Sequence, residues 1–149
     1  MKKIILASSS PRRKDLLKQI GLEFEVDPSN YQEDMSLNIE PRKLAEYLSL
    51  GKAEDVAKRH KHAIIISADT IAALGKEVFG KPKTKERAKY MLQKMSGKAH
   101  SVITGFTIID TKANMTRSKS VTTKVSIRRL NEYEIDEYIK AYTPGRFRI

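Results

Sequence analysis

The chain has 149 residues, 40% of them hydrophobic and 32% charged, which excludes a disordered polyelectrolyte and leaves room for a buried core in one domain, residues 1–149. It has no cysteine, so neither a disulfide framework nor a thiolate site is available, and a cytoplasmic setting is expected. The 29 Lys and Arg against 18 Asp and Glu give a net charge of +11; this favours anionic partners, but scattered lysines and few aromatics argue against a nucleic-acid surface.

Lys3 to Ala7 reads as a buried strand. Its Ile4-Ile5-Leu6-Ala7 run is too short for a secretory core, and no run approaches a membrane span. Ser8-Ser9-Ser10-Pro11-Arg12-Arg13 follows. A strand that ends in hydroxyl residues and feeds a helix is suited to hold an anion: the first N–H groups are free, the helix dipole favours negative charge, and two arginines add forked donors. Alone, the segment reads more readily as an N-cap serine, a first-turn proline and solvated arginines. The helix is expected over Pro11–Ile20, with Leu16, Leu17 and Ile20 on one face and Gly21 as its stop.

Glu23 to Val26 alternates like a second strand, and Asp27 to Glu40 is a polar loop. Pro41 to about Arg59 reads as a longer helix with Leu44, Leu48, Ala53, Val56 and Ala57 apolar. Gly51 inside it costs about 1 kcal/mol against alanine, so a close approach beside Lys52 is expected. Ala63 to Ala68 is a nearly continuous apolar run, a central strand covered on both faces, which ends at Asp69-Thr70. A turn at Gly75-Lys76 leads to a short strand, Glu77-Val78-Phe79. Thr84 caps a helix to about Met95 that Gly97 ends. His100–Ile109 and Val121–Arg128 are strand patterns joined through Asp110–Asn114; the second alternates, with one face expected to be buried. Asn131 and Glu134 form a capping box, with Leu130 and Ile135 as staple, for a helix to about Tyr142 that Pro144-Gly145 breaks. The order defines an α/β fold with a mixed sheet flanked by helices.

Asp69, at the expected end of a buried strand, can hold a divalent cation or take a proton from water; taken alone, it reads more readily as a turn aspartate. Glu33 and Asp34 are an acidic pair in a loop, Lys81 stands in a Gly-Lys-Pro turn, and Lys52 lies on the long helix. No G-x-x-x-x-G-K-[ST] loop, G-x-G-x-x-G or G-x-S-x-G is present, and His60, His62 and His100 lack zinc spacing. What remains suits metal-assisted attack of water on a phosphate anhydride or ester.

The stretch Leu6-Ala7-Ser8-Ser9-Ser10-Pro11-Arg12-Arg13-x-x-Leu16-Leu17 resembles the opening signature of the Maf family of nucleoside triphosphate pyrophosphatases, also called septum formation inhibitors. Ser67-Ala68-Asp69-Thr70, Gly80-Lys81-Pro82, Met91-Leu92-x-x-Met95-Ser96-Gly97-x-x-His100-x-Val102-x-Thr104-Gly105, Val121–Val125 and Glu134-Ile135-x-x-Tyr138 match in order. The resemblance implies an inosine-triphosphatase-like fold, often homodimeric, and cleavage between the α- and β-phosphates with Mg2+ or Mn2+. It implies that Ser8, Arg12, Arg13, Lys52 and Lys81 bind substrate. Asp69 would be catalytic, Glu33 and Asp69 would be near the metal, and Arg12 and Thr70 would influence base choice. The Ala68-Asp69-Thr70 version resembles the dTTP/UTP branch.

The resemblance runs to about Thr143. Relatives continue with a K-A-G-[AG]-Y-[GA]-[IL]-Q segment and further core elements, where this chain reads Thr143-Pro144-Gly145-Arg146-Phe147-Arg148-Ile149. Without those elements, exposed strand edges, lower stability and association are expected. The alternative is an impaired homologue that binds nucleotides or nucleic acid and regulates cell division.

Overall fold

The computed structural model describes residues 1–142; Pro144-Gly145 and Arg146–Ile149 lie outside them. The elements are β1 (Lys3–Leu6), α1 (Pro11–Gln19), β2 (Glu25–Val26), α2 (Pro41–Ala57), β3 (Ala63–Leu74), β4 (Glu77–Phe79), α3 (Lys85–Met95), β5 (Ala99–Asp110), β6 (Met115–Ser126) and α4 (Glu132–Lys140). Strand order is β2-β1-β3-β5-β6, with β4 against β3. β1 pairs in parallel with both β2 and β3, and β4 pairs antiparallel with β3. The fold is therefore α/β with a mixed sheet.

The described chain divides into two compact units, residues 1–69 with 104–121 and residues 70–103 with 122–142. In the first, β1 lies between β2 and β3, and the chain passes to opposite sides of it after α1 and after α2. The carboxyl end of β1 is thus a switch point, the place where ligands gather in parallel α/β sheets. Ile5, Ala7, Ala53, Val56, Ala63, Ile65 and Ile109 form a core cluster there.

Small residues let α2 approach β5 closely. A methyl at Gly105 would lie 2.2 Å from the Ala45 carbonyl carbon and oxygen. Beside it runs a chain of hydroxyls, buried at Ser67, Ser49 and Thr107 and half-buried at Ser118: Ser67 Oγ donates to Ser49 O at 2.6 Å, Ser49 Oγ lies 2.7 Å from Thr107 Oγ1, and Thr107 Oγ1 lies 2.7 Å from Ser118 Oγ. These bonds satisfy polar groups that burial would otherwise penalise.

Residues 27–40 contain no helix or strand, as expected, but they are firmly held. Asp27 accepts from Arg59 Nε and Nη2, both at 3.0 Å, and lies 2.8 Å from His60 Nε2. Asp55 Oδ2 accepts from Ser29 Oγ at 3.0 Å and from Asn30 N at 2.9 Å.

In the second unit, Ala72, Phe79, Ala88, Met91, Met95 and Tyr142 form the core. Thr84 Oγ1 accepts from Arg87 N at 3.1 Å, and the Asn131–Glu134 capping box is complete. His100 is buried, both ring nitrogens lack a partner among the described residues, and burial lowers its pKa, which holds the imidazole neutral.

Three expectations change. Helix α1 buries no residue: Leu16 and Ile20 are 60% and 69% exposed. Periodicity shows which residues share a face, and only a neighbouring element covers it. Its stop is as expected, with Gly21 at φ +76° and Leu22 N bonded back to Leu17 O at 3.1 Å. Strand β3 continues past Asp69 to Leu74, because its later residues find β4 as partner. Strand β6 starts at Met115 and has no buried residue. It is the last strand in the sheet order, so its alternation records two accessible faces.

Two stability outcomes follow from this packing. Gly105→Ala should lower the unfolding free energy by about 1–3 kcal/mol, because backbone atoms must move; denaturant titration measures it. Arg59 and His60 hold the Asp27 carboxyl down at about 2. A depressed carboxyl stabilises the fold above its unfolded value of 3.8, and that contribution is lost as pH falls through about 2. Asp27→Asn should therefore be less stable at neutral pH, with the gap to the parent closing across that window in melts at stepped pH.

Candidate active site

Chain geometry places Ser8 at the switch point. β1 ends opposite Ile66, Ala7 N donates to Ile66 O at 2.8 Å, and Pro11 begins α1. Pro11 at the first turn has no N–H to lose and presets the helical φ. Ser10 makes no side-chain cap. Instead Ser8 Oγ accepts from Ser10 N at 3.2 Å and from Arg13 Nη1 at 3.1 Å. The serine that ends the strand thus orients the second arginine of the helix.

Asp69 lies three residues beyond the β1 pairing, on the same alternating face of β3 as Ala63, Ile65 and Ser67. Its expected position at the end of its own strand is corrected: it stands beyond the carboxyl end of the neighbouring strand, β1. Lys52 Nζ is 2.5 Å from Asp69 Oδ1 and 2.6 Å from Glu33 Oε1. The Lys52 and Asp69 side chains are 15% and 9% exposed, whereas Glu33 is more open at 44%. One ammonium from α2 therefore joins a carboxylate of the sheet to a carboxylate of the 27–40 loop.

Burial raises the Asp69 pKa, Lys52 opposes that, Glu33 adds to it, and Arg13 opposes it. Burial likewise lowers the Arg13 pKa; Asp69 opposes that, Arg12 adds to it and Glu33 opposes it. Arg13, Glu33 and Lys52 thus all act electrostatically on Asp69, and the four residues lie in the first unit. Arg12 projects from the same first turn and is exposed.

The acidic pair of the loop separates. Asp34 Oδ1 accepts from Ser36 N at 2.9 Å and from Ser36 Oγ at 2.5 Å, which lowers its pKa. Only Glu33 faces Lys52. The expected close approach at Gly51 is present: a methyl there would lie 2.4 Å from Tyr31 Cζ. Sequence reasoning passed over Tyr31 because a lone loop tyrosine carries no motif. Lys81 and Thr70 belong to the second unit. Lys81 is exposed, next to buried Pro82, whose carbonyl accepts from the Tyr142 hydroxyl at 2.6 Å. A hollow of about 410 Å3 beside α4, lined by Leu92, Leu130, Tyr133, Ile135 and Tyr138 among others, is mostly apolar and offers no comparable set of cations.

Glu33 and Asp69 fit a hard divalent cation in one specific way. Their oxygens already converge on a single cationic centre, the Lys52 ammonium. No group of three or more Asp, Glu, His or Cys side chains suited to a metal occurs among the described residues. Two carboxylates completed by phosphate oxygens and water suit Mg2+ or Mn2+, which are seldom held in all-protein cages.

The fold and site define an α/β protein in which a strand–helix junction lies beside a lysine-bridged carboxylate pair. Residues 3–147 match the Maf-like protein family, and the chain belongs to it. It is 47% identical over 142 residues to the dTTP/UTP pyrophosphatase of Ruminiclostridium cellulolyticum, covering 95% of this chain and 74% of that protein. It is 43% identical over 145 residues to the dTTP/UTP pyrophosphatase of Methanosarcina mazei, covering 97% and 74%. The Staphylococcus aureus Ham1 protein shares the fold at 16% identity, with a TM-score of 0.60 over 84% of this chain and 71% of that one. No helix among the described residues is long and apolar enough to cross a membrane.

The bridge predicts opposite pKa movements. Removing the ammonium in Lys52→Met should raise the Asp69 pKa further, whereas removing the like charge in Glu33→Gln should lower it. Carboxyl-carbon NMR titration of Asp69 reads both, and movement in the same direction contradicts the bridge.

Proposed function

We propose that this protein is a nucleoside triphosphate pyrophosphatase that converts dTTP or UTP to the monophosphate and pyrophosphate. The carrying observation is the Lys52 ammonium between Glu33 and Asp69, next to Arg13 at the start of α1. The family match and the names of the relatives favour the same reaction and the same bases.

The first-turn N–H groups of α1 and the Arg13 fork hold the polyphosphate, and Ser8 keeps that fork oriented. Lys52 bridges the two carboxylates and offsets part of their charge until a polyphosphate offers it better acceptors; the ammonium then turns to phosphate oxygen and frees Glu33 and Asp69. Mg2+ or Mn2+ on those two side chains would supply charge neutralisation for the polyphosphate. Burial makes the Asp69 carboxylate a stronger base than an exposed aspartate. It takes the proton of a water whose oxygen bonds to the α-phosphorus, while the bond from that phosphorus to the bridging oxygen breaks and pyrophosphate leaves. Assignment of Lys81 to the polyphosphate, and of Arg12 and Thr70 to base choice, rests on family resemblance.

A product panel over the common nucleoside triphosphates, with Mg2+ and with Mn2+, tests this. Pyrophosphate and monophosphate should appear from dTTP or UTP, and Asp69→Asn should abolish turnover while nucleotide binding survives. Orthophosphate as product, or parental turnover by Asp69→Asn, contradicts the mechanism. Steeply salt-dependent DNA binding with no product from any triphosphate favours a non-catalytic binding protein instead.

A further inference from the structure

We propose that Tyr31 and Gly51 are a positioning pair that sets Glu33 against Lys52. The inference deepens the proposed function, and rests on it only for what Glu33 does in turnover.

Residues 27–33 lie as a strap along one ridge of α2. Asp27 is bound to Arg59, Ser29 and Asn30 are bound to Asp55, and the Tyr31 ring covers Gly51. Tyr47 continues the ridge one turn earlier; burial and then its hydroxyl raise the pKa of the Tyr31 phenol. Positions 47, 51 and 55 recur every four residues, the spacing that places side chains above one another on a helix, and Arg59 follows in the turn beyond Ala57.

The strap is held at several points. Arg59, in the turn that follows α2, binds Asp27, Asp55 binds Ser29 and Asn30, and Ser29 Oγ accepts from Tyr31 N at 3.0 Å. These bonds fix the chain as far as Tyr31, and the ring on Gly51 sets where it leaves the helix. Glu33, two residues further, then meets Lys52, the neighbour of Gly51.

The fit requires glycine. A methyl at position 51 would lie 2.4, 2.5 and 2.7 Å from Cζ, Cε2 and Cε1 of Tyr31. The ring must shift from its place over Gly51, and the end of the strap loses that hold. In a helix interior alanine is otherwise favoured over glycine, so loss of positioning separates cleanly from loss of fold.

The test compares Gly51→Ala, Tyr31→Ala, Tyr31→Phe, Glu33→Gln and the double variant Gly51→Ala/Glu33→Gln in the full chain. One readout is the rate at which an acylating reagent labels Lys52, mapped by mass spectrometry without nucleotide or metal. A second is pyrophosphate release, and thermal melting reports the fold. Gly51→Ala and Tyr31→Ala should melt cooperatively, label Lys52 faster and lose about tenfold to a hundredfold in kcat/KM. Tyr31→Phe, which keeps the ring, should restore parental labelling and turnover. The double variant should match Glu33→Gln alone, since both changes act through one carboxylate.

Parental labelling and turnover in Gly51→Ala overturn the inference, as does an additive double variant. A parent without pyrophosphate release overturns the proposed function alone, and Lys52 labelling still decides the positioning role.

Discussion

Two carboxylates in a partly buried site repel one another unless a cation lies between them. In this protein the cation is the Lys52 ammonium, which contacts Glu33 and Asp69 at once. The arrangement suits a protein whose ligand brings its own negative charge. In the mechanism proposed above, polyphosphate competes for the ammonium, and the carboxylates become available when a substrate is present to use them. Arg13 adds a second positive charge whose desolvation is partly offset by the same carboxylates.

Each component depends on a different structural cause. Asp69 is placed by the mismatch between a short β1 and a long β3, which leaves β3 uncovered by β1 past Ile66. Lys52 is carried by α2, which sits close to the sheet because Gly105 and the serine and threonine hydroxyls allow it. Glu33 is delivered by a loop without secondary structure, held by Asp27, Asp55 and the Tyr31 ring. Three unrelated devices converge on one ammonium, and disturbance of any one separates the charges.

Local signals predicted well where their cause is local. Thr84 caps α3, Asn131 and Glu134 close their box, and Gly21, Gly75 and Gly97 take positive φ at their turns. Each outcome is settled within a few residues of backbone and side-chain bonding. Signals of burial fared differently. The apolar face of α1 and the alternation of β6 are both present in the chain, but neither is covered among the described residues. Pairing also moved Asp69, because β4 extends a strand whose apolar run stops earlier.

The amino-acid order by itself determined the succession of strands and helices, the caps, the family and the residues with the chemistry to hold a polyphosphate. These follow from backbone preference, side-chain type and ordered motifs, which are properties of short stretches. Only the tertiary structure decided that Glu33 faces Lys52 while Asp34 turns to Ser36, and that Tyr31 is the reason for Gly51. The meetings of Glu33 with Lys52 and of Tyr31 with Gly51 join a loop to a helix 19 and 20 residues further along the chain, and such contacts are set by packing rather than by spacing along the chain.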